Sequence, residues 1–197
     1  MRRTLWIPAA LLISVTCPGR ASAHLVNSGL GPFYDGIAHL LVTPEEVLVV
    51  IAMALLAGLG GNKYGRYVLF LFPLAWLAGA LAGWTLSVRL GMPLLSAAWL
   101  IALGALVASD WRLPLPLAIG FAIAVGFAHG FVMTGAAPAS KEAGLAVAGS
   151  VCAVFVIVAL VAGQVSSIRR SWARITVRVA GSWIGAIGLL LLGWASR

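Results

Sequence analysis

A chain of 197 residues that is 62% hydrophobic and only 9% charged, with a mean hydropathy of +1.06, excludes a soluble globular domain; it reads as an all-α integral membrane protein. The formal net charge of +8 does not point to nucleic acid, because the basic side chains stand between apolar runs, where Lys and Arg set topology. Cys17 and Cys152 lie in separate apolar stretches, which leaves neither a disulfide framework nor a CxxC metal site.

The chain opens with the pattern of a leader. Arg2 and Arg3 form a basic n-region, residues 5–15 a short apolar stretch broken by Pro8, and Ala21-Ser22-Ala23 an A-x-A cleavage site. Residues 1–23 are therefore expected to be a removed signal peptide, and 24–197 one polytopic domain; an uncleaved anchor is the alternative, although the run is short for a span. Cleavage after Ala23 would make His24 the new N-terminus. A free α-amine beside its own imidazole is a bidentate nitrogen chelator for a late first-row divalent metal.

Next comes Gly31-Pro32-Phe33-Tyr34-Asp35-Gly36-Ile37-Ala38-His39, which Pro32 and Gly36 punctuate as a turn and a short helix at the outer surface. Asp35 and His39 are four apart and stack on one helical face. They can share a metal, or Asp35 can orient His39 as a neighbouring carboxylate. An Asp turn cap beside an interfacial His is the plainer alternative. Thr43-Pro44-Glu45-Glu46 then predicts a helix start: Thr43 suits the N-cap, Pro44 the first helical position, and Glu46 is spaced to close a capping box. As N-terminal acids, Glu45 and Glu46 complement the helix dipole, and they would also set two anionic groups near His39.

The first span covers 47–59 and is short unless residues 37–42 join it at the membrane surface. Further spans are predicted over 67–88, 93–108, 113–132, 143–165 and 175–194, about six in all, each near the ~20 residues needed to cross the hydrocarbon. With the mature N-terminus outside, Lys63, Arg66, Arg112, Arg169, Arg170 and Arg174 fall inside and Arg89, Lys141 and Arg197 outside. That asymmetry obeys the positive-inside rule and predicts a bacterial inner-membrane protein.

His129, in the fourth span, has no other ionisable residue along that helix. In this orientation it lies in the outer third, where an imidazole without a partner is costly. Gly126 and Gly130 clear space beside it; a core His bonded to a carbonyl is the alternative. Gly79-x-x-x-Gly83, Gly126-x-x-x-Gly130 and Gly181-x-x-x-Gly185 have the spacing of close helix packing, and Trp76, Trp84, Trp99 and Trp111 read as interfacial anchors or packing residues. Gly60-Gly61-Asn62-Lys63 lacks the Walker spacing, and neither HExxH nor a Ser/His/Asp set is present, so no enzyme is expected.

Two local motifs and the layout resemble the hydrogenase/urease accessory membrane proteins (HupE/UreJ). The first family motif reads roughly His-Pro-x-x-Gly-x-Asp-His-Leu-Leu. Pro32, Gly36, His39, Leu40 and Leu41 match it with one extra residue, while Gly31 replaces the first His and Ala38 the Asp. Asp35, one turn earlier, is placed to substitute. The second motif reads roughly Phe-His-Gly-x-Ala-His-Gly-x-Glu; Gly126, Ala128, His129 and Gly130 match, with Val125 and Val132 at its first His and its Glu. The resemblance implies a permease of nickel or cobalt with about six spans after a cleaved leader.

The expected cargo is thus a divalent transition metal, nickel or cobalt by resemblance, with copper and zinc also compatible with imidazole, amine and carboxylate donors. His24, Asp35 and His39, helped by Glu45 or Glu46, would gather the ion outside and pass it to His129. The alternative is a non-transporting accessory protein that serves a metalloenzyme. Expected partners are membrane lipid, the metal ion and metalloenzyme-maturation proteins, with no nucleic acid.

Overall fold

In an apolar chain every backbone amide and carbonyl must find its partner without water, and a helix achieves this within a single segment. The computed structural model describes residues 28–86, 92–134 and 139–195, and all regular structure in them is α-helical. Seven helices follow in order: α1 Pro32–Val42, α2 Pro44–Leu59, α3 Asn62–Leu86, α4 Met92–Ser109, α5 Leu115–Thr134, α6 Lys141–Ser166 and α7 Ser171–Ala195. The expected leader over residues 1–23, His24, Arg89 and Arg197 lie outside the described residues.

The α1–α2 junction is bent by 81°. Pro44 has no amide hydrogen and its ring drives the preceding residue out of the helical region, and Thr43 accordingly sits at φ −98°, ψ 94°. Thr43 and Pro44 take the expected N-cap and first helical positions. The capping box does not form: no side-chain bond caps α2, because the Thr43 hydroxyl donates backwards to the His39 carbonyl at 2.7 Å. It satisfies the end of α1 instead of the start of α2.

Helix α2 occupies the middle of the bundle, packed against α1, α3, α4, α6 and α7, and residues 49–59 are buried apart from Ile51. Its 16 residues give about 24 Å, short of the ~30 Å hydrocarbon thickness. Four helices, α3, α5, α6 and α7, are long and apolar enough to cross a membrane, and the bent α1–α2 pair would make a fifth. The apolar run of α4, Leu94–Ser109, is shorter. Among the described residues the structure therefore supports an all-α bundle with four to five candidate spans, where the sequence predicts about six. Apolar composition fixes the class, and the break at Thr43 decides whether α1 and α2 count as one span.

Close helix approaches hold the pairs α3–α5 and α4–α7 together. A Cβ at Gly79 would strike the Phe127 carbonyl, and one at Gly130 the Trp76 carbonyl; across the other seam, a Cβ at Gly104 would meet the backbone of Gly185. Thr134 adds a buried hydrogen bond, its hydroxyl donating to the Ala80 carbonyl at 2.6 Å. Helix α1 is fastened to α6 by the Ser150 hydroxyl, which donates to the Gly36 carbonyl at 2.8 Å.

The two ends of the bundle differ. At one, Arg174 makes a forked pair with Asp110, at 2.7 and 2.8 Å, and reaches the Leu59 carbonyl at 3.5 Å, tying α7 to the ends of α4 and α2. Arg178 reinforces the junction by donating to the Ala108 carbonyl at 2.8 Å. This end also carries Lys63, Arg66, Arg112, Arg169 and Arg170, all exposed. The opposite end carries α1, the start of α2, the end of α5 and the start of α6.

Candidate functional site

Polar side chains buried in this bundle are few, which makes their bonding informative. Thr134 and Ser150 discharge their hydroxyls onto carbonyls of neighbouring helices. Glu46 and His129 behave differently: each is only 2% exposed, and neither Glu46 Oε2 nor His129 Nε2 has a hydrogen-bond partner. A polar atom left unpaired in an apolar interior costs on the order of 1–3 kcal/mol. An ionisable residue in such surroundings is a candidate functional position.

His129 is positioned by the seam between α5 and α3. With hydrogen in place of a side chain, Gly126 and Gly130 let α5 approach the backbone of α3 around Phe72 and Trp76. The imidazole consequently stacks on the Trp76 indole, with centroids 5.6 Å apart and planes inclined by 23°. Phe72 meets the same indole edge to face at 5.9 Å. His129 Nε2 has no hydrogen-bond partner. Trp76, expected from the sequence as an interfacial anchor or packing residue, is a wholly buried wall of the His129 site, and its Nε1 is likewise unpartnered. Its spacing of three and four residues from Gly79 and Ala80, on the glycine face of α3, was the available signal.

Glu46 owes its place to the break at Thr43. In a straight helix a third-position acid would face water beside the N-terminus. Here α2 turns into the bundle by 81°, which carries Glu46 inward while Glu45 stays half-buried. Asp35 and His39 share α1 one turn apart, as their spacing predicted, and both are half-buried. Asp35 Oδ1 accepts the Ser28 amide at 2.6 Å, so the carboxylate pins the segment entering α1.

Asp35, His39, Glu46 and His129 all fall toward the end of the bundle opposite the Asp110–Arg174 pair. Among the described residues, however, no group of three or more His, Cys, Asp or Glu side chains gathers as a metal site. The structure juxtaposes His129 with Trp76 and keeps Asp35 and His39 on one helix.

Apolar outer faces and helices long enough to cross a membrane define a polytopic α-helical membrane protein, with Glu46 and His129 buried inside its bundle. More narrowly, the family model described as HupE / UreJ protein matches residues 11–191, and the chain belongs to that family. No curated protein and no solved structure gives a significant match.

Proposed function

We propose that this HupE/UreJ-family protein takes up a divalent transition metal, nickel or cobalt, at the end of the bundle that carries α1 and passes it toward the opposite end. The observation that carries this reading is the pair of unsatisfied buried donors, Glu46 Oε2 and His129 Nε2. Carboxylate oxygen and imidazole nitrogen are donors that late first-row divalent ions accept. Asp35 and His39 lie nearer the surface and would collect the ion, joined by the amine and imidazole of His24 where the leader has been removed. The orientation that suits this route places the Lys63, Arg66, Arg169 and Arg170 end in the cytoplasm of a bacterial inner membrane.

A second reading, a metal-binding accessory protein that does not transport, is favoured by one feature. Between the ends of α2 and α4 at the basic end, Leu56, Leu59, Tyr64, Leu106 and Asp110 line a cavity of only about 10 Å³, room for about one water. Metal uptake by cells, set beside metal titration of the purified protein, separates the two. Transport predicts that Glu46→Gln and His129→Ala each lower both uptake and affinity. Binding without uptake would favour the accessory role, and wild-type affinity in both variants would remove the support for either site residue.

A further inference from the structure

Away from the buried Glu46 and His129, a groove of about 310 Å³ runs between α3 and α6 at the basic end. Asn62, Arg66 and Leu69 fall on one face of α3 at helical spacing, and Val158, Ala162 and Ser166 on the facing side of α6. Because α6 runs toward this end and α3 away from it, the polar groups Asn62, Arg66 and Ser166 collect at the mouth. The apolar side chains line the part that extends toward the middle of the bundle. Gly65 and Gly163 widen the groove, and a Cβ on either would enter open space.

The charge at the mouth is uncompensated. The chain has only five acidic residues. Asp35, Glu45, Glu46 and Glu142 belong to the other end, and Asp110, the fifth, is engaged by Arg174 in the one ion pair among the described residues. Arg66 is exposed, and Lys63, Arg169 and Arg170 stand exposed at the same end. We propose that this groove is a binding site for an anionic phospholipid, with its phosphate at Arg66 and Asn62 and one acyl chain along Leu69, Val158 and Ala162. A basic mouth above an apolar intramembrane channel is complementary to that amphiphile and to no neutral polar solute. The inference does not depend on metal handling.

The test is lipid titration of the purified full-length protein in mild detergent, with retained lipid counted by native mass spectrometry. Phosphatidylglycerol and phosphatidylethanolamine of identical chains are compared. The wild type should retain its first phosphatidylglycerol at about five-fold lower concentration. Arg66→Gln should erase that preference and Arg66→Lys preserve it. Gly163→Leu, whose Cβ would enter open space at the groove wall, should weaken retention of both lipids. Circular dichroism checks that each variant stays helical. Equal retention of the two lipids by the wild type overturns the proposal, as does unchanged selectivity in Arg66→Gln or unchanged retention in Gly163→Leu. Displacement of phosphatidylglycerol by millimolar inorganic phosphate would assign the mouth to a free anion and overturn it too.

Discussion

Glu46 and His129 each hold an ionisable group where a leucine or phenylalanine would pack at lower cost, since both are 2% exposed with an oxygen and a nitrogen unpaired. Residues retained at a cost to folding should betray themselves when replaced. Glu46→Leu is expected to raise stability by about 1–3 kcal/mol, the burden of one unsatisfied buried polar group, while metal affinity falls. Thermal unfolding in detergent and metal titration of the same samples check this; a variant that loses stability would mean that Glu46 has a structural partner. His129→Phe makes the complementary case. A phenyl ring can keep the stack on Trp76, so packing should survive as metal binding drops at least ten-fold, and wild-type affinity in that variant would remove His129 from the site. His129 was legible in the sequence as a candidate, because an ionisable group in a long apolar run stands out. Glu46's burial was not, because an acid in a first helical turn normally has water beside it, and only the 81° bend turns it inward.

Between elements, the seam of α3 and α5 depends on backbone contact. Gly79 and Gly130 face carbonyls of Phe127 and Trp76 so closely that an added Cβ cannot fit without parting the helices. Gly130→Ala is expected to destabilise by roughly 1–3 kcal/mol through overpacking, and to disturb the His129–Trp76 stack with it. Gly120, on the same helix with open space around it, gives the control: Gly120→Ala should be neutral or slightly stabilising, by up to about 1 kcal/mol from helix propensity. Equal effects of the two, measured by thermal unfolding, would contradict the close approach. The glycine spacing was visible in the sequence, as were the long apolar runs that became α3, α5, α6 and α7. Spacing does not say which helices meet, since small residues every fourth position suit many partners. The residue before Pro44 did mark a helix boundary, yet the angle of the break is decided by what α2 packs against on every side.

For the whole molecule, one end is drawn together by charge, and loop composition had already grouped Arg112 with the arginines of the 169–174 region on one side. What the sequence did not show was the pairing itself, in which Arg174 joins Asp110 and the Leu59 carbonyl and so ties three helices at one point. Hydrogen bonds from Arg174 hold the Asp110 carboxyl below the usual carboxylate range, helped by the nearby charges of Arg178 and Arg112 and opposed by partial burial. A carboxylate whose folded pKa lies below its unfolded value binds protons less readily when folded. Its contribution is therefore full above the unfolded pKa of ~3.9 and fades as pH drops through the lower folded value. Asp110→Asn isolates that contribution, because Asp110 sits at φ +54°, a conformation that asparagine also accepts, so the backbone should be unchanged. The variant is expected to be less stable than the wild type by about 1 kcal/mol at neutral pH, a modest figure because the pair is partly exposed to solvent screening. The gap should narrow as the solution is acidified below about pH 4, where the wild-type carboxyl itself becomes neutral. Unfolding midpoints of both proteins across that range decide the matter. A gap that persists undiminished in acid would mean that the amide side chain perturbs the turn, and the electrostatic tie between the ends of α2, α4 and α7 would lose its basis.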